Sequence, residues 1–196
     1  MTHMNRALKE WAIVVDALGR GDQILVIRRG GISDRNRSFR IERRDFLLFP
    51  THHHQHKESV SDPAQHRFAE LDSDPRGGGQ IRLEYVASAA GWWKISSFED
   101  VRQLAGNHIW SEEAVERRFN SGRGEDLYVL ALRVARLAEP TDLQVHPEHG
   151  GCRSWIDLST TISTRGARPV LSDGAFARRM AELVRCFEPV GTRVIA

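Results

Sequence analysis

Lysine and cysteine are scarce in this chain, and long apolar runs are missing. Of its 28 lysine and arginine residues only Lys9, Lys57 and Lys94 are lysine. Two cysteines, Cys152 and Cys186, cannot make a disulfide scaffold for 196 residues, so reduced thiols are expected rather than a bridge. No apolar segment approaches the roughly 20 residues that cross a bilayer. The start, Met1-Thr2-His3-Met4-Asn5-Arg6, has no signal-peptide core. These absences predict a cytoplasmic protein without membrane attachment. Complete catalytic signatures are also missing. Gly19-Arg20-Gly21 lacks the later glycine and Lys-Ser/Thr of a phosphate-binding loop. The restriction-type pattern of an acid followed by Glu-x-Lys does not occur.

What is present is arginine, unevenly spread. Residues 28–44 hold Arg28, Arg29, Arg35, Arg37, Arg40, Arg43 and Arg44 against Asp34 and Glu42. A global preference for arginine over lysine follows from genomic composition bias. Local clustering is more informative, because the distribution of charge shapes a binding face. The planar guanidinium suits bidentate phosphate contacts. Gly30-Gly31, next to the first two arginines, permits close backbone approach or positive φ. Beyond this stretch come Phe46 to Pro50, Thr51, and His52, His53, His54, Gln55 and His56.

The periodicities predict a mixed α+β chain. Leu8, Trp11, Ala12, Val15 and Leu18 recur at helical spacing over 5–18, with Gly19-Arg20-Gly21 as the stop. Strands are expected at 23–29, 38–42, 45–50, 80–88, 92–95, 127–137 and 154–158. Pro50 and Pro140 should end two of them. Residues 51–80 form a long polar excursion with a helix near 63–71. A capping box at Ser96 and Glu99 opens a helix that Gly106 ends. Ser111 caps another over 112–119, with acids first and Arg117-Arg118 last. Asp173 caps a final helix whose stripe is Phe176, Met180, Leu183, Val184 and Phe187. One domain over 1–196 is expected, with no internal repeat. Its architecture is a small, mixed, partly closed β-barrel with flanking helices.

Several constellations carry chemistry. His52, His54 and His56 would share one face of a strand, but no acid or cysteine follows at ligand spacing. His146-x-x-His149-x-x-Cys152 offers zinc three ligands and lacks a fourth. A Cys152 nucleophile lacks an orienting acid. No metal or other cofactor is therefore expected. Trp92, Trp93, Trp110 and Trp155 lie beside turns or helix starts, where they either stack bases or anchor the core.

The ordered motifs Leu8-Lys9-Glu10-Trp11, Arg28-Arg29-Gly30-Gly31-Ile32, Phe46 to Thr51 with His54-Gln55, Ile109-Trp110, Arg117 and Gly151-Cys152-Arg153-Ser154-Trp155 resemble an uncharacterised bacterial family, a domain of unknown function. The resemblance spans about 8–158 and implies no established activity. Arg29 departs from it, standing where that family carries lysine, and His52, His53 and His56 are extra. The segment from Trp11 to Arg28, with Leu132 to Pro140, is also similar to PUA-like domains of the ASCH and EVE types. That similarity implies a small barrel whose basic cleft binds RNA or modified bases.

Three readings of function follow. The first is a nucleic-acid or nucleotide-binding module, with RNA, DNA or a nucleotide as partner. Its ligand-binding residues would be Arg28, Arg29, Gly30, Gly31, Thr51, His54, Gln55, Trp110, Arg117, Ser154 and Trp155. The second is a metal-dependent nuclease using Glu42 or Asp45 with His54. The third is a structural or partner-binding protein whose aromatics form a homodimer face.

Overall fold

The computed structural model describes residues 3–29, 44–53, 55–73, 79–95, 97–120, 127–151, 153–187 and 193–194. Its spine is a pair of long antiparallel strands, β4 (Gln80–Ile95) and β5 (Leu127–Gln144). Every second residue of β4, from Ile81 to Ile95, is buried, as a pleated strand over a core requires. The register shifts between Leu83 and Tyr85 and again between Ala89 and Gly91. Such irregularities bend and twist a strand pair.

The remaining strands attach to the two halves of this bent pair. β2 (Leu25–Arg29) runs antiparallel to the Leu127–Ala131 stretch of β5. β3 (Asp45–Thr51) runs antiparallel to Val86–Ser88 of β4. β1 (His3–Trp11) lies parallel to β3, with Trp11 opposite Thr51, and β6 (Trp155–Ser163) is antiparallel to β1. The order is β2-β5-β4-β3-β1-β6, with short β7 (Arg168–Pro169) on β5 and β8 (Arg193–Val194) on β4. Among the described residues no pairing joins β2 to β6, so the sheet curves without closing.

Helices α1 (Ala12–Arg20), α2 (Asp62–Asp72), α3 (Phe98–Gln103), α4 (Glu112–Asn120) and α5 (Asp173–Phe187) flank the sheet. The main core gathers Leu8, α1, β2 and the inner residues of β4 and β5. A smaller cluster, with Ala7, Leu47, Phe49, Leu83 and Ile156, covers the other sheet face. The architecture is therefore the expected mixed α+β one. No described helix is long and apolar enough to cross a membrane.

Some boundaries differ from the sequence expectation. Residues 3–11 form a strand, and the helix begins only at Ala12. Ala7 and Leu8 are both fully buried, one in each cluster. A strand covered on both faces loses its alternation, which is why helical spacing described it equally well. Gly21 ends α1 as expected, at φ +75 with its amide on the Ala17 and Leu18 carbonyls. The two strands expected over 80–95 are one bent strand. β5 continues past Pro140, which sits in the irregular stretch between the Arg136 and Thr141 pairings, where a missing N–H costs the ladder nothing. The capping box is Ser97 with Asp100, one residue later than expected. Ser172 rather than Asp173 accepts the first-turn amide of α5, from Ala175.

Candidate functional site

β1, β2 and β3 end beside one another, and their ends line a cleft of about 390 Å³. β1 contributes Lys9, Glu10 and Trp11, and β2 contributes Ile27, Arg28 and Arg29. Thr51 and His53 come from the end of β3, Arg118 from α4, and Gly151, Arg153 and Ser154 from the approach to β6. Among the described residues, the lining thus holds four arginines and a lysine with one carboxylate, Glu10.

That carboxylate is already engaged. Glu10 is 6% exposed. Its Oε1 accepts the Trp11 amide at 2.9 Å, and its Oε2 accepts Nη1 of Arg28 at 2.8 Å. Nη1 of Arg28 also donates to the Lys9 carbonyl at 2.9 Å, and Nη2 to the Ser154 hydroxyl at 2.7 Å. Arg28 therefore ties β2 to β1 and to the segment before β6, although β2 and β1 are far apart in the sheet order.

Arg118 is held mainly by aromatic rings. Its guanidinium lies 3.8 Å from the centroid of the Trp110 ring and 5.3 Å from that of Trp11. Its Nη1 donates to the Ile27 carbonyl over a long 3.4 Å. Burial lowers its pKa from the usual arginine value; Glu10 opposes this, and Arg28 and Arg29 reinforce it. A half-buried cation flanked by two others favours an anionic ligand, which would relieve the desolvation and the repulsion together.

The sequence-predicted residues divide. Arg28, Arg29, Thr51 and Ser154 converge on the cleft. Gly30, Gly31 and His54 lie outside the described residues, as do Glu42 and Cys152. Arg117 is exposed and lines a neighbouring groove with Glu113, Glu116 and Asn120. Gln55 turns toward His52, with Nε2 3.2 Å from its Nδ1. Trp110 is 3% exposed and backs Arg118, and Trp155 is 4% exposed against Phe46. Asp45, named for the nuclease reading, opens β3 six positions before Thr51, roughly 20 Å along the strand. Nδ1 of His149 accepts the His146 amide, and among the described residues no cluster of three metal ligands forms.

The cleft also takes in Lys9, Glu10, Trp11, His53, Arg118 and Arg153, which the sequence motifs do not mark as ligand contacts. A signal for Arg118 did exist. The buried residues of α4 are Ala114 and Val115, and position 118 follows them by four and three, on the same helix face.

A second depression of about 410 Å³ lies between α1, α2 and β4. Its Arg67, Arg82 and Arg136 are matched by Asp16, Asp72 and Glu84. Arg67 pairs with Asp16 at 2.7 Å and Arg136 with Glu84 at 3.2 Å. Its charge cancels among its own lining residues.

A family model described as a domain of unknown function, DUF1802, matches residues 7–182. The chain belongs to this family. In this DUF1802 chain the segments Lys9–Trp11, Arg28-Arg29, Thr51 and Arg153-Ser154 come from separate parts of the sequence and meet in one cleft. Among solved structures, a mutant of the ZmASCH protein from Zymomonas mobilis aligns at 10% identity with a TM-score of 0.40, covering 91% of this chain and 96% of that one. A second mutant of the same protein aligns at 10% identity with a TM-score of 0.39, covering 91% and 94%. The chain has no match among the curated proteins.

Proposed function

We propose that this DUF1802 protein is a nucleic-acid or nucleotide-binding module, and that the cleft at the ends of β1, β2 and β3 takes the phosphate. One observation carries the reading: four arginines and a lysine from four chain segments line one cavity, and among the described residues its one lining carboxylate, Glu10, is paired with Arg28. Guanidiniums gathered at one cavity repel one another, an anion that joins them lowers that repulsion, and phosphate matches their fork geometry.

Roles follow from the contacts. Arg28 closes the wall between β2 and β1. Arg29, Arg118 and Arg153 supply the positive field. Thr51 and Ser154 offer hydroxyls beside it, as they would to phosphate oxygens or a sugar. The half-buried Trp11 ring, on the cleft wall beside Arg118, gives a base a stacking surface worth about 1–3 kcal/mol. In this reading every residue of the set has a binding role.

The test is anisotropy titration of short labelled single-stranded RNA and DNA over a range of salt. Binding with a log–log salt slope of about −0.7 per phosphate contact is expected. The exposed Arg153, replaced by Ala, should remove about one such contact without unfolding the chain. Failure of both nucleic acids to bind at low salt, with free nucleotides also silent, would end this reading.

A further inference from the structure

Lys9 is one of three lysines in the chain, set in a cleft otherwise charged by arginine. Its ammonium is held by a loop. Nζ donates to the His149 carbonyl at 3.0 Å and to the Gly151 carbonyl at 2.6 Å. These two acceptors belong to the turn that leads from β5 to β6.

The turn has its own modest closure. The His149 ring packs on Phe49 at 5.5 Å, and its Nδ1 accepts the His146 amide. Gly151 then adopts φ +71. Two and three residues later come the exposed Arg153 and the half-buried Ser154, both on the cleft. The Ser154 hydroxyl accepts from Arg28, and its carbonyl accepts the Lys9 amide at 2.8 Å. Lys9 thus grips this segment twice, by main chain at Ser154 and by side chain at His149 and Gly151.

We propose that Lys9 is a positioning residue: it fixes the 146–154 segment, and through it Arg153 and Ser154, rather than contacting the ligand. The chemistry explains why lysine stands here. An ammonium is a compact point donor with three rotatable N–H groups, which can bridge two backbone carbonyls. Guanidinium is a larger planar fork, better matched to carboxylate or phosphate.

The inference rests on the binding reading above and is tested with the intact chain and a short labelled single-stranded RNA, with the DNA counterpart alongside. Lys9→Met should weaken binding about tenfold and leave the salt slope unchanged, because no phosphate contact is lost. Gly151→Ala has open space for its Cβ but strains the positive φ, so it should loosen the same loop and give a similar loss. The double variant should bind no worse than the weaker single one, as expected for residues acting as a unit. A slope reduced by about 0.7 in Lys9→Met, or additive losses, overturns the inference. Absence of binding by the wild type defeats the parent reading instead. Hydrogen exchange then still decides Lys9 without any ligand. Faster exchange confined to the amides of 149–154 in Lys9→Met supports it, and unchanged exchange there refutes it.

Discussion

The Arg28 guanidinium lies 2.8 Å from the Glu10 carboxylate, with the side chains 15% and 7% exposed, and this pair closes the seam between β2 and β1. A buried pair adds little net stability when intact, yet losing one partner strands the other charge. Arg28→Ala is therefore expected to destabilise the fold by about 3 kcal/mol, the low end for such pairs because Glu10 keeps the Trp11 amide. Adding Glu10→Gln to it should restore at least half of that loss. Urea denaturation of the single and double variants measures both; a double variant no better than the single would show that the pair is not what holds the seam.

Arg117 and Arg118 are neighbours in sequence with different surroundings. Arg118→Ala should weaken oligonucleotide binding and lower the salt slope by about 0.7, whereas Arg117→Ala should change the slope little. Equal effects of the two substitutions in the same titration would contradict the assignment of the cleft.

His108 has both ring nitrogens buried, and burial pushes its pKa down to about 4 from the ordinary 6.5, against the opposing influence of the Trp110 backbone. A depressed histidine pKa means that between pH 6.5 and 4 the unfolded chain takes up a proton that the folded chain refuses. The stability tied to neutral His108 is fully present above the unfolded value and is lost as pH falls toward the folded one. The loss is on the order of 3 kcal/mol in total. The urea midpoint should drop between pH 7 and pH 4.5, and His108→Leu should flatten much of that drop. An unchanged pH profile in His108→Leu would remove this histidine from the account.

A Cβ on Gly19 would run into the ring of Tyr85, which is 7% exposed and whose hydroxyl accepts Nη2 of Arg136 at 2.8 Å. Gly19→Ala gains up to about 1 kcal/mol of helix propensity but forces that ring aside, at a cost of about 1–3 kcal/mol. The expected outcome is a lower thermal midpoint. A higher one would mean that Tyr85 has room to move.

Much of the architecture was legible where local physics was strong. β2, β3, α2, α4 and α5 fell close to their sequence limits, because alternation, aliphatic runs, capping residues and a five-residue stripe each point one way. β1 was not legible, because Ala7 and Leu8 are buried on opposite sheet faces by partners 40 and 150 residues away, roughly, in β3 and β6. The bend that merges 80–88 with 92–95 arises from pairing with β5 and from bulges, which leave only a weak trace in a single sequence. At the site, Arg28, Arg29, Thr51 and Ser154 were accessible as charge, turn and hydroxyl signals. Arg118 left only its place on the buried face of α4, and Glu10 left no signal, since its meaning depends on what it faces.

The sequence by itself determined an arginine-dominated mixed α+β chain, the placement of most of its helices and strands, and the concentration of cations after β2, because these follow from composition and short-range periodicity. Only the tertiary structure decided that β1, β2 and β3 end at one cleft, that Arg118 rather than Arg117 faces it, and that the rare Lys9 is turned to a loop. The physical reason is that a binding site is a convergence of side chains. Convergence is set by long-range strand pairing and sheet curvature, which no local window of sequence contains.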